Sequence, residues 1–323
     1  MNSRERVKAE ISGQPVDWTP TMFTMHFPAG CQSGEAAVQA HLDFFRQSQG
    51  DIGKVMNENL LRSDTTVNVP SDLGSERVNC ATKRAIENQV DLVKRIVDQT
   101  AGERMVLATI HGPMVSIHHM SGRKGFFVDN LDFYHTCKDE DPEAMKDALK
   151  AATDTLCELA ERCVGEAGAD GIYFAALGAE QTLFTREEYD DIVRPFDYRV
   201  FDAAQHSGGF NLLHICKKNV DVKRFMDYPV EIFNWEMTGE NASLEEALSM
   251  VPEDRTILGG FSNVEGPVIS GTHADIEEET KRLLEQVKGR RWILGAGCTL
   301  PTGIDYNRLH AVVNASKDFS HIG

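Results

Sequence analysis

What this chain of 323 residues lacks narrows its role before any motif is considered. Basic charge is scarce: 33 Lys and Arg stand against 50 Asp and Glu, a formal net charge of −17. Nucleic acids and anionic membrane surfaces are bound through a basic footprint, so neither is expected as a partner. No apolar run approaches the length that spans a bilayer, and Met1-Asn2-Ser3-Arg4-Glu5-Arg6 has no apolar signal core. The seven cysteines form no CxxC pair and are odd in number, unlike the framework of a secreted disulfide-stapled protein. A cytoplasmic protein with reduced thiols, open to a metal, is the expectation. Low-complexity tracts, charge blocks and Gly/Ser linkers are missing too, so residues 1–323 are expected to form a single barrel domain with an N-terminal helical extension.

What is present is a repeating unit, a short apolar strand followed by an amphipathic helix. Strands are predicted at residues 21–25, 52–56, 105–110, 171–176, 211–215, 231–235, 256–259 and 292–294. Asp141-Pro142-Glu143 supplies an N-cap, a first-turn proline and an acid. It opens a helix whose apolar face runs through Met145, Leu149, Ala152, Leu156, Leu159 and Cys163, ended by Gly165 and Gly168. Helices at 186–206, 243–250 and 274–287 fill the same role later. Eight such alternations predict an α/β protein with a closed (β/α)8 TIM barrel, and no GxGxxG follows the first strand to support a dinucleotide-binding sheet.

A barrel of this kind carries its chemistry at the C-terminal ends of the strands. The polar residues found there are His26, Asn57, Glu58, His111, Glu180, Gln181, His214, Cys216, Glu236, Asn263 and Cys298. His214 and Cys216 are two apart at a strand end, so both can face the same way. Cys298 sits in Gly295-Ala296-Gly297-Cys298, a tight segment suited to presenting a side chain. Three N/S ligands with a fourth position open is the pattern of a catalytic zinc site, and Glu236 is the candidate for an exchangeable fourth ligand. The alternative is a core histidine with two buried small thiols. His111 is expected to hydrogen-bond substrate or carry a proton, or else to pack a loop. Glu180 is expected to line the mouth in a catalytic role, whereas Glu187 and Glu188 follow Thr185 as helix-start acids. His118-His119, being adjacent, is expected at the surface or at a helix start.

These residues together resemble the uroporphyrinogen decarboxylase superfamily over nearly the whole length. The resemblance rests on Arg4-Glu5-Arg6-Val7, Gly13-Gln14-Pro15-Val16-Asp17, Thr19-Pro20, His111-Gly112-Pro113, Glu166-Ala167-Gly168-Ala169-Asp170 and Gly297-Cys298-Thr299-Leu300-Pro301. The fold it implies is a (β/α)8 barrel. The segment Phe23-Thr24-Met25-His26-Phe27-Pro28-Ala29-Gly30-Cys31 lacks the arginines that decarboxylases use to hold porphyrinogen carboxylates. His214, Cys216 and Cys298 instead resemble the zinc methyltransferase branch, the methylcobamide:coenzyme M methyltransferases and their relatives.

That resemblance implies Zn2+ held by His214, Cys216, Cys298 and Glu236. The activity it implies is a corrinoid-dependent methyltransferase of the EC 2.1.1 type in one-carbon metabolism. A methyl group would pass between methylcobalamin on a partner corrinoid protein and a zinc-activated acceptor such as a thiol. His26, Asn57, Glu58, Gln181 and Asn263 are expected to bind the small-molecule methyl donor or acceptor. Demethylation of a methyl ether or methanol, with transfer to a reduced corrinoid, stays open as an alternative, as does a folate acceptor. A non-catalytic metal- or corrinoid-binding protein is the reading from another class, and it would need a closed ligand set.

Overall fold

The computed structural model describes residues 1–62, 68–69, 71–72, 80–178 and 182–320. Eight strands form one parallel sheet: β1 Thr21–Met22, β2 Ile52–Val55, β3 Met105–His111, β4 Gly171–Ala176, β5 Phe210–Ile215, β6 Ile232–Trp235, β7 Thr256–Phe261 and β8 Trp292–Ala296. The order runs β1-β8-β7-β6-β5-β4-β3-β2, with neighbours in parallel register throughout. Between β1 and β2 the Asp51 N–H donates to the Thr21 carbonyl at 2.7 Å, which brings the two edges together. This is the (β/α)8 barrel expected from the alternation of strands and helices. The first strand pairs over a shorter span than predicted, and Met25 makes only an isolated bridge to Leu300.

The helices are α1 Ser3–Ile11, α2 Gly34–Ser48, α3 Cys80–Thr100, α4 Pro113–Met120, α5 Leu131–Glu140, α6 Pro142–Glu161, α7 Arg186–Ile192, α8 Arg194–His206, α9 Leu244–Met250, α10 Pro267–Ser270, α11 His273–Gln286 and α12 Tyr306–Ser320. The caps read from the sequence are in place. Asp141 accepts from the Ala144 N–H at 3.1 Å, and Thr185 and Glu188 form a reciprocal capping box. One predicted helix, 186–206, is two. Pro195 has no N–H to donate, its ring crowds the preceding turn, and the chain breaks at Val193 (φ −112°). The helix from Pro142 ends through a π turn, Arg162–Glu166, and Gly168 at φ +79° releases the chain towards β4.

Strand periodicity divides the side chains into two sets. Val106, Ile172, Phe174, Leu213, Ile215, Phe233 and Trp235 pack outwards under the helices. Their alternates, among them Ile52, Leu107, Tyr173, Leu212, Ile232, Leu258 and Ile293, fill the barrel interior, with Val7 of α1 closing the floor. Towards the C-terminal end the interior rows turn polar: Lys54, Thr109, His214 and Asn234 are all buried. Among the described residues no helix is long and apolar enough to cross a membrane.

Candidate metal centre

The polar end of the interior opens into a cavity of about 460 Å³ at the strand C-termini, lined in part by His214, Cys216 and Cys298. One ligand-capable atom from each of these three residues lies within 4.8 Å of the other two. His214 leaves β5 as its last inward side chain, and Cys216 follows where its own N–H still donates to the Ala176 carbonyl at 3.0 Å. Cys298 arrives from the far side of the barrel on the turn after β8. That turn is fixed by three bonds: the Gly297 N–H donates to the Phe261 carbonyl at 2.9 Å, the Leu300 N–H to the Thr24 carbonyl at 2.8 Å, and the Asn263 amide to the Thr299 carbonyl at 3.0 Å. Gly297 is required there, because a Cβ would run into the backbone of Glu236.

The tautomer of His214 follows from its neighbour. The Asn234 amide nitrogen donates to the carbonyls of Leu258 at 2.9 Å and Ala296 at 3.2 Å, so its oxygen faces His214. The His214 Nδ1–H therefore donates to Asn234 Oδ1 at 2.6 Å, and Nε2 turns a bare lone pair to Cys298 Sγ at 3.5 Å. Tetrahedral zinc, with Zn–S of about 2.3 Å and Zn–N of about 2.0 Å, sets its ligand atoms roughly 3.5–3.8 Å apart. The donor set fits. The hydrogen bond from Cys216 holds the Cys298 thiol well below its usual range; the same bond, with burial, pushes Cys216 well above. One proton shared between two sulfurs is what a cation would displace.

The other expected site residues divide. His26, Asn57, Glu58 and His111 line the same cavity. His26 and Glu58 pair at 2.7 Å, and Asn57 is buried with its amide on the Thr109 carbonyl at 3.3 Å. Burial holds the His111 imidazole well below its usual range, so it is neutral at pH 7. Glu180 and Gln181 lie outside the described residues. Asn263 lines neither this cavity nor the cluster; it ties down the turn that carries Cys298. Glu236 is also apart. Its carboxylate accepts from the Thr238 hydroxyl at 2.7 Å and the Asn263 N–H at 3.2 Å, and it faces a neighbouring cavity. The strand ends at Trp235, so alternation no longer aims the next side chain inwards.

The expectation for His118-His119 is corrected as well. Both line the cavity. His118 is buried, its Nε2–H donating to the Gly125 carbonyl at 3.1 Å while Nδ1 takes the Tyr134 hydroxyl at 3.0 Å. The His119 ring stands edge-on to His111, with centroids 5.4 Å apart. Two further cavity residues had no place among the expected ones, Tyr173, stacked on His214 at 5.5 Å, and Lys54, whose Nζ lies 3.8 Å over the Tyr173 ring; nor had Asn234, which stands behind His214 outside the cavity. Lys54 carried a signal in the sequence, a charge inside an apolar strand.

Two solved structures share the fold along their whole length. A methyltransferase from Methanosarcina mazei superposes with a TM-score of 0.78 at 18% identity, covering 99% of both chains. A B12-independent methionine synthase from Shewanella sp. W3-18-1, in complex with selenomethionine, gives 0.62 at 13% identity over 94% of this chain and 98% of that one. No curated protein matches the sequence. The match that goes beyond shared architecture covers residues 64–319, about four-fifths of the chain, including His214, Cys216 and Cys298 though not the N-terminal motifs: the protein belongs to the uroporphyrinogen decarboxylase (URO-D) family.

Proposed function

We propose that this protein is a zinc-dependent methyltransferase that moves a methyl group between a corrinoid on a partner protein and a small thiol. The observation that carries the reading is the convergence of His214 Nε2, Cys216 Sγ and Cys298 Sγ at the closed end of the mouth cavity. Zinc held there would make a thiol ligand a thiolate, the nucleophilic form, at neutral pH. The protein's own part is positional. Asn234 holds the imidazole so that Nε2 faces the sulfurs, Gly297 lets the Cys298 turn approach β6, and Val115, Phe127 and Leu177 give part of the cavity lining an apolar character. The cavity suits a small acceptor, and its open side leaves room for a methyl group presented from outside. The names of the two structural relatives, a methyltransferase and a B12-independent methionine synthase, support methyl transfer; the corrinoid rests on the sequence resemblance.

Porphyrinogen decarboxylation fits less well. Of residues 23–31 only His26 reaches the cavity, and the cations there, Lys54, Arg62, Arg123 and Lys217, come from other segments. The test is metal content joined to turnover. Purified protein is expected to hold one zinc per chain. Cys216→Ala and Cys298→Ser should lose most of it, and Cys157→Ala, whose half-buried thiol lies on α6 away from the cavity, should lose none. Methylcobalamin demethylation with a panel of thiols, followed by its colour, should require the metal and fail in His214→Ala. Full zinc in Cys298→Ser, or metal-independent consumption of uroporphyrinogen with no change in cobalamin, would overturn the proposal.

A further inference from the structure

Lys54 is the third residue of β2 and points into the barrel, where its side chain is 6% exposed. Among the described residues no carboxylate comes within ion-pairing distance of its ammonium. The nearest acid in the cavity wall with a bearing on it, Glu58, is held by His26 at 2.7 Å. The face of Tyr173 at 3.8 Å is the contact that Lys54 does make. One aromatic face does not offset the desolvation of a whole charge, so a lone buried cation needs an anion. The groups that face it are Cys298, Cys216 and Glu58, which favour its charged form, and His41 and His111, which its charge disfavours as cations. Burial draws the amine down to about 8, with Cys298, Cys216 and Glu58 opposing the fall, which leaves it mostly charged at pH 7.

Charge counting then gives the residue a purpose. A divalent metal with two thiolates is neutral, and a third anionic sulfur makes the set −1. A cation fixed in the same low-dielectric pocket restores neutrality only when that third anion is bound. We propose that Lys54 is a positioning residue that selects an anionic fourth ligand, holding the acceptor as thiolate in preference to thiol or water. The inference rests on the metal reading above. In the step it assists, the acceptor S–H bond breaks, both electrons stay on sulfur, and the proton leaves through the open mouth to solvent.

The experiment uses full-length protein loaded with Co2+ in place of zinc and 2-mercaptoethanol as the probe. That thiol has an uncharged tail, so an effect of Lys54 must act on its sulfur. The sulfur-to-cobalt charge-transfer band is followed between about pH 6 and pH 9. Wild type and Lys54→Arg should share one midpoint. In Lys54→Met it should move up by roughly one pH unit, with thiol binding about ten-fold weaker at pH 7. The melting temperature of Lys54→Met should not fall, since an unpaired buried charge has been removed; if that variant does not fold, Lys54→Gln is read in its place. An unchanged midpoint at full cobalt content sinks the role of Lys54 alone. A lowered melting temperature with an unchanged midpoint does the same, reducing Lys54 to a staple on Tyr173. Wild-type protein that takes up no cobalt sinks the metal reading and this inference together.

Discussion

The two ends of the barrel both bury ionisable groups, and they treat them in opposite ways. At the floor, Arg6 of α1 is 2% exposed, yet every part of its guanidinium is used. It pairs with Asp51, donates to Asp17 at 2.6 Å and to the Met1 carbonyl at 2.8 Å, and lies 3.3 Å over the ring of Trp18. Asp51 in turn accepts from the Thr21 N–H at 2.9 Å. Glu10 accepts from the Trp292 N–H at 2.7 Å. At the mouth, Lys54, His111, His119 and the Cys216–Cys298 pair share one cavity without a closed set of partners among the described residues. A buried charge with complete partners reads as structure. A set of buried donors and lone pairs facing a cavity reads as a site waiting for a ligand. Burial alone would not tell the two ends apart.

The sharpest way to break the comparison is to open the floor. Arg6→Met removes one member of a buried pair and leaves Asp51 without its guanidinium partner. Losing one partner of such a pair costs about 3–5 kcal/mol. Urea unfolding is expected to show that loss in full while the zinc content of the folded fraction stays at the wild-type value. A variant of normal stability would mean the floor pairs are no more structural than the mouth.

Glu10 sharpens the same end by pH. Burial raises its carboxyl to about 7 from an ordinary value near 4.5, although the Trp292 N–H and Arg291 oppose the rise. Because the folded-state value is raised, its contribution is fully present below about pH 4.5 and is lost as the pH climbs through 7. Glu10→Gln keeps an oxygen for Trp292 and cannot ionise. It should remove about 2–3 kcal/mol of the fall in stability between pH 5 and pH 8. A residual fall is expected from Asp197, which burial also raises to about 7, although the hydroxyls of Tyr228 and Tyr189 that donate to it oppose the rise. If the two proteins lost stability equally over that range, the floor carboxyl would not be the titrating group.

Much of the mouth was legible in the sequence because strand ends are legible. His214, Cys216 and Cys298 each follow an apolar run, and once eight runs imply a barrel their convergence on one face is forced by topology. What could not be read was anything that depends on register. Asn234 stands opposite His214 on the adjacent strand, yet only the pairing of β5 with β6 makes them partners. Glu236 is expected as a ligand because it follows the sixth strand, the neighbour of the one that carries His214. There the strand has ended and Thr238 and Asn263 capture the carboxylate. His118 and His119 are expected at the surface or at a helix start because adjacent side chains diverge. Helix α4 is enclosed almost all round, so divergence leaves both within reach of the cavity.

Asn234 therefore carries the smallest but most specific of the effects. It touches neither cavity nor sulfur, and its influence on a metal passes entirely through the His214 ring. Asn234→Ala removes the acceptor for Nδ1–H, so the imidazole can turn or take the other tautomer, with Nε2 protonated and closed to a metal. It also strips one donor from each of the carbonyls of Leu258 and Ala296. Loss of the partner that orients a metal-bound histidine costs about 10- to 100-fold in affinity, or roughly 1.4–2.7 kcal/mol. Competition with a chromophoric chelator should show that weakening, while His214→Ala, measured beside it, should lose more. The stripped carbonyls predict some loss of stability too, so the metal-free melting temperature separates the causes. Weakened zinc binding in a variant still folded at the assay temperature supports the orienting role, and wild-type zinc affinity in Asn234→Ala would remove it.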